Sequence, residues 1–375
     1  MKTVRVVLPQ PVKKSALAFG GQTKNTLCYV SAQHAYISDV HADLTDLRDR
    51  RTFEKDAAFF LKNQPRVIAC DMHPDYISTG FAFDRAAAKK RRFVAVQHHH
   101  AHIVSCMVDN GIGNTDVIGV AFDGTGFGAD GSLWGGEFMV CDYRSYKRLA
   151  HIAAIPLLGG AQAIRQPWRL AFVWLERALG EKMFRLSSNI VKRTSRRDWE
   201  VLCSLRAAGI NTPSATSVGR LFDAAASLIL DKPCASFEAE LARALEVCAQ
   251  RSRVQPRAYP CGYSTDAHGL LVIDPTNMFA AIVRDINNGK KKEDIALCFH
   301  ETVAGIIEKV CCRLSRATGV RSVVLSGGVF QNELLRIRAV ALLHKDAFRV
   351  FTHQTVPCSD AGISLGQAVI AGFSR

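Results

Sequence analysis

The chain has 375 residues, 48% hydrophobic and 22% charged, with a formal net charge of +14. That length passes the roughly 250–300 residues at which one core stops growing, so two lobes are expected. No apolar run approaches the roughly 20 residues of a membrane span, and Met1-Lys2-Thr3-Val4-Arg5 leads into no apolar segment of the signal-peptide kind, so a cytoplasmic protein is expected.

Twelve cysteines are scattered from Cys28 to Cys358 without a Cys-x-x-Cys pair. This excludes a small disulfide framework and a four-cysteine zinc site, and reduced thiols are expected. The basic stretches Lys89–Arg92, Arg193–Arg197 and Lys290–Lys292 could touch phosphates. They are short, far apart and free of interleaved aromatics, so they read as solvated loops, and nucleic acid is not an expected partner.

In chain order, residues 16–19 read as a strand, 20–25 as a turn and 26–30 as the antiparallel return. A helix around residues 51–62 and a strand at 67–70 follow. The strand at 93–96 then runs into His98, His99, His100 and His102 at the head of a helix. His98 and His102 are four residues apart, so their rings share one helix face, where a single Zn²⁺ or Fe²⁺ can reach both. A cluster of surface histidines is the alternative at this point.

A second hairpin begins at 117–122, turns through Asp123-Gly124-Thr125-Gly126 and returns at 134–141. Glycines there let backbone approach a ligand and aim N–H groups at an anion, and Asp123 could hold a metal or its water; an ordinary hairpin turn is the alternative. Residues 163–317 are mostly helical in pattern. The strand 322–325, the turn Ser326-Gly327-Gly328 and a helix from about Gln331 follow, an arrangement that suits a nucleotide lying on backbone. After a strand at 348–351, Asp360 occupies the expected N-cap of the last helix. Alternating strands and helices predict an α/β fold with covered sheets. With the lobes face to face, Asp123 and Asp360 could each complete a two-histidine site, leaving open positions as catalytic centres do.

Several strings in chain order resemble one family, the carboxy-terminal carbamoyltransferase region of HypF, the hydrogenase maturation factor. They are Phe19–Thr26, Cys70–Tyr76, Val96–His102, Asp123–Gly126 with Leu133–Phe138, Ile164–Arg169, Ser217–Ala224, Ser326–Asn332 and Asp360–Gln367. The resemblance implies a two-lobed, actin-like ATPase (TsaD-like) fold. Residues 1–112 would form the first lobe and 113–375 the second, with a helical insertion at about 163–317 and the last helix packing back on the first lobe. It also implies one divalent metal ion, Fe or Zn, held by His98, His102, Asp123 and Asp360, with His98, His102 and Asp123 as the catalytic set.

A carbamoyl-adenylate would be bound at Gly124 and Gly126, with its ribose near Gly219 and Asp223 and its purine near Gly327, Gly328 and Asn332. The carbamoyl group would pass to the carboxy-terminal cysteine thiolate of HypE, toward the cyanide ligands of a nickel–iron site. Full-length HypF carries acylphosphatase, zinc-finger and YrdC-like domains upstream, for which there is no room before Phe19. A separate YrdC-like protein or full-length HypF is therefore expected to supply the adenylate. Three places depart from the family pattern: Ala161-Gln162 replaces Asp-Lys, Gln166 stands for Glu, and Phe237-Glu238-Ala239-Glu240 replaces Tyr-Glu-Gly-Gln. Two other readings remain at this point. In one the fold carbamoylates a small-molecule hydroxyl or tRNA; in the other it is a non-catalytic scaffold, which stoichiometric metal would argue against.

Overall fold

The computed structural model describes residues 3–374; Met1, Lys2, Arg375 and the side chain of Arg193, which opens one of the basic stretches, lie outside the description. The first sheet contains β1 (Thr3–Val7), β2 (Ala16–Ala18), β3 (Cys28–Ser31), β4 (His34–Ser38), β5 (Val67–Asp71) and β6 (Arg92–Val96), in the order β1-β4-β3-β2-β5-β6. β2 and β3 pair antiparallel, as the first hairpin requires. β5 pairs parallel with β2 and β6, through crossovers carrying α1 (Leu47–Leu61) and α2 (Ile77–Ala88). Its sequence Val-Ile-Ala-Cys-Asp is buried throughout, as a strand covered on both faces must be.

The segment between β2 and β3 is more than a turn, because Thr23–Asn25 pairs with His41–Asp43. Buried Asn25 pins it: Nδ2 donates to the Phe19 and Gly21 carbonyls at 2.6 and 2.7 Å, and Oδ1 lies 3.0 Å from His41 Nδ1.

Residues His98–Asp109 form α3, followed by the second sheet. Its main strands are β7 (Val117–Phe127), β8 (Leu133–Cys141), β9 (Tyr146–Ile152), β10 (Gly262–Thr265), β11 (Leu271–Asp274), β12 (Ser322–Ser326) and β13 (Arg349–Thr352), in the order β10-β11-β9-β8-β7-β12-β13. Helices between 162 and 318 cover it, among them α4 (Trp168–Leu179), α5 (Val218–Leu230) and α6 (Lys292–Thr318), while β10 and β11 interrupt the helical region as a hairpin added to β9. α7 (Glu333–Lys345) and α8 (Ile363–Phe373) complete the chain. This is the expected α/β architecture.

Two local expectations are corrected. Asp123-Gly124-Thr125-Gly126 is not a turn: β7 runs through it, Gly126 pairs with Trp134, and the chain reverses only beyond Phe127. Asp360 does not cap a helix. It opens a 3₁₀ turn, Asp360–Gly362, whose N-cap is Ser359, and its carboxylate is turned toward the histidines.

α3 and α8 lie between the sheets. One apolar cluster joins Ala18 and Ala69 of the first sheet to Ala121 and Val324 of the second through Ile103, Met107, Leu365 and Val369. The helices meet at backbone distance: a Cβ on Gly366 would stand 1.9 Å from the Ala101 carbonyl oxygen, so only glycine fits.

Candidate metal centre and nucleotide cleft

The head of α3 is wholly buried. The Gln97 side-chain oxygen caps it, accepting from the His100 N–H at 2.8 Å. The helical period then brings the rings of His98 and His102 to a centroid separation of 4.9 Å. Asp123 Oδ2 lies 3.3 Å from His98 Nε2 and 3.4 Å from His102 Nε2. Asp360 Oδ1 lies 3.7 and 3.6 Å from the same two nitrogens. The four ligand atoms fall within 4.8 Å of one another, so residues from three distant segments meet.

Three of the four ligands have support of their own. Asp123 Oδ1 accepts from the Gly328 N–H at 3.0 Å, which leaves Oδ2 toward the histidines. The Ser217 hydroxyl donates to the Asp123 carbonyl at 2.8 Å. Thr26 Oγ1 and Ser105 Oγ donate to the carbonyls of Ala361 and Gly362, both at 2.8 Å, fixing the turn that carries Asp360. His98 Nδ1 lies 2.7 Å from Oδ2 of Asp71, a fully buried carboxylate whose Oδ1 accepts from the His73 N–H. That bond places the proton on Nδ1 and frees the Nε2 lone pair.

Sequence reasoning gave Asp71 no role. The available signal was its place at the carboxyl end of a parallel strand, where sites of such sheets collect.

Burial alone would lower the pKa of His98, yet Asp71, Asp123 and Asp360 raise it well above the usual range, and His102 is raised the same way. Asp123 is held well below the carboxylate range against burial by the facing imidazoles of His102 and His98. Asp360, opposed by burial and by Asp123, is drawn down to about 2 by the same imidazoles. The cluster therefore demands positive charge. His102 Nε2 is moreover buried without a hydrogen-bond partner. Two nitrogen and two oxygen donors, one nitrogen orphaned and another oriented by a carboxylate, fit a divalent ion such as Zn²⁺ or Fe²⁺.

His99 and His100 do not join this group. His99 Nδ1 is engaged by Gln97, His100 Nε2 by the Asp142 carbonyl, and burial lowers both pKa values.

The glycines among the expected nucleotide residues lie beside the same place. Gly126 lies under the His98 and His99 rings, where a Cβ would be 2.7 Å from His98 Cδ2. Gly219, at the start of α5, packs on the Gly124 backbone, and Gly327 and Gly328 close the far side against Phe122 and Asp123. Asp223 is buried, with Oδ2 2.7 Å from Arg220 Nη2, and its pKa is raised by burial despite that guanidinium. Asn332 is committed to the fold: Oδ1 caps α7 by accepting from the Leu335 N–H at 2.8 Å, and Nδ2 lies 3.0 Å from His300 Nε2. Among the departures from the family pattern, Glu238 reaches the vicinity of Gly124, and Gln166 accepts from Arg169 Nε at 2.8 Å.

Comparison with known proteins identifies the family. Residues 11–109 match the family model described as the HypF Kae1-like domain, and residues 119–367 match the model for the second subdomain of the Kae1-like carbamoyltransferase domain. Carbamoyltransferase HypF2 of Cupriavidus necator is 32% identical over 386 residues, which cover 95% of this chain and 46% of that protein. A carbamoyltransferase HypF homolog of the same organism is 32% identical over 363 residues, 95% of this chain and 91% of the homolog. A crystal structure of full-length HypF in a phosphate- and nucleotide-bound form aligns with TM-score 0.90 and 35% identity over 98% of this chain and 47% of that one. HypF of T. kodakarensis aligns with TM-score 0.86 and 29% identity, over 98% of this chain and 49% of its own. The chain thus spans about half the length of the HypF proteins it matches and nearly all of the shorter homolog. On the family models and on the relative aligned over almost its whole length, the chain belongs to the HypF carbamoyltransferase family.

Proposed function

We propose that this chain transfers carbamoyl from carbamoyl-adenylate to the carboxy-terminal cysteine thiolate of HypE, using one divalent ion, Fe or Zn, held by His98, His102, Asp123 and Asp360. The convergence of those four side chains beside Gly124, Gly219 and Gly328 carries the reading. Residues 1–112 and 113–375 act as the two lobes that bring the parts together. The adenylate is the product of a YrdC-like activity.

Carbamoyl-adenylate is a mixed anhydride. Thiolate attack forms the carbon–sulfur bond and breaks the carbon–oxygen bond to phosphate, with AMP leaving. A bound divalent ion supplies Lewis acidity toward the acyl and phosphoryl oxygens, worth several kcal/mol in such reactions. Asp71 holds His98 in one tautomer, and the Gly328 N–H holds Asp123 in one orientation. The glycine segments let the nucleotide lie on backbone, without a competing nucleophile. The attacking thiolate belongs to the partner, which agrees with the burial of Cys28, Cys106, Cys141 and Cys311, whose thiol pKa values burial raises.

Purified protein incubated with carbamoyl-adenylate and HypE should add the mass of one carbamoyl group to HypE, seen by intact mass spectrometry. An unmodified HypE, with the adenylate shown to persist, would overturn the reading.

A further inference from the structure

A second buried polar chain runs beside the centre. The Ser326 hydroxyl lies 2.8 Å from His353 Nε2, and His353 Nδ1 lies 3.7 Å from Asp109 Oδ2. Ser326 is fully buried, and the His353 and Asp109 side chains are 5% and 2% exposed. Asp109 also accepts from the N–H groups of Gln354, Thr355 and Val356 at 2.6, 3.0 and 3.2 Å. Beside it, Asn110 Nδ2 donates to the Thr352 carbonyl at 2.9 Å.

The order Ser, His, Asp is that of a hydrolytic triad, but the geometry serves another purpose. A fully buried hydroxyl offers no approach to a substrate, and 3.7 Å is longer than a hydrogen bond. What the three residues share is location. Asp109 ends α3, whose first turn carries His98 and His102. His353 directly follows β13, and the backbone that Asp109 clamps leads on to Asp360. Ser326 ends β12, two residues before the Gly328 N–H that holds Asp123. His353 Nδ1 is buried without a hydrogen-bond partner, and the charge of Asp109 facing it across 3.7 Å favours the proton on that nitrogen, which leaves Nε2 to accept from the Ser326 hydroxyl.

We infer that Asp109, His353 and Ser326 form a positioning unit that sets how the three ligand-bearing segments stand relative to one another, and hence how tightly the metal is held. The unit rests on the metal reading above and acts only through the ligands; none of its members touches the reacting groups.

Cobalt(II) titration of the full chain, followed by calorimetry and by visible absorption of the bound ion, tests this. Ser326→Ala and His353→Ala should each weaken cobalt binding about tenfold or more and alter its absorption bands. His353→Gln, whose amide can still meet the Ser326 hydroxyl, should keep more affinity than His353→Ala. Should His353→Ala fail to fold, Ser326→Ala, which removes one oxygen atom, decides. Wild-type affinity and spectrum in Ser326→Ala, with or without a lower melting temperature, would overturn the inference and leave the metal reading standing. Absence of cobalt binding by the wild-type chain would overturn both.

Discussion

The arrangement of single atoms around His98 decides how the centre is built. His98 Nδ1 faces Asp71 at 2.7 Å, and both side chains are fully buried. An asparagine keeps the shape of Asp71 but carries no charge, and its amide cannot accept from both His98 Nδ1 and the His73 N–H. Asp71→Asn should therefore weaken metal binding about 10–100-fold with the fold retained, checked by metal titration beside circular dichroism. Gly327 is the other sensitive residue. Its φ is +106°, and a Cβ would meet the Phe122 carbonyl oxygen at 2.2 Å. Gly327→Ala should cost about 2–4 kcal/mol of stability, read from urea unfolding; an unchanged midpoint would contradict the packing described. His98 and His102 were legible in the sequence because a helix puts residues four apart on one face. Asp71 was not, since its link to His98 spans 27 positions and exists only once β5 and β6 pair side by side.

Helix termini and helix crossings carry the next set of constraints. α7 begins at Asn332, whose amide is divided between the Leu335 N–H and His300 on α6. His300 Nδ1 donates to the Ala296 carbonyl at 2.8 Å, so Nε2 is the acceptor for Asn332 and must stay unprotonated. Burial lowers the His300 pKa from 6.5 to about 4. Between those values the unfolded chain binds a proton that the folded chain refuses, so stability falls as pH drops through that window and is fully present above it. The loss by pH 5 should be about 1–2 kcal/mol. His300→Gln should flatten the dependence; an equal loss in both proteins, by urea unfolding at pH 7 and 5, would remove His300 as its cause. Asn332 shows what sequence pattern leaves out. A strand, two glycines and a helix start announced a ligand-facing turn, but whether the asparagine faces a ligand or caps its own helix depends on His300, 32 positions away. Strand and helix order read well because each element carries its own period, whereas Asp123–Gly126 reads as a turn and is strand, because glycines in the two settings look alike along the sequence.

At the scale of the whole chain, the ligand set ties together parts that share little local sequence. α3 and α8 fill the space between the sheets, and the four ligands close one end of that space from α3, from β7 and from the turn before α8. The three basic stretches fall on different elements, the α2–β6 turn, the helical region and the start of α6. Length was enough to predict two lobes, and the alternation of elements an α/β fold with covered sheets. The meeting of Asp123 and Asp360 is expected from lobes set face to face and from the family resemblance, because no local pattern links residues so far apart along the chain. An ion bridging these segments binds the folded chain and not the unfolded one, so it must raise the melting temperature. With free metal at about a hundred times its dissociation constant, the gain is about 2.7 kcal/mol. For a chain of this length that is a rise of about 3 °C over chelator-treated protein. In the doubly substituted His98→Ala, His102→Ala protein the difference between metal-loaded and chelated samples should vanish. A persistent metal-dependent shift in that variant, followed by scanning calorimetry, would place the stabilising ion elsewhere.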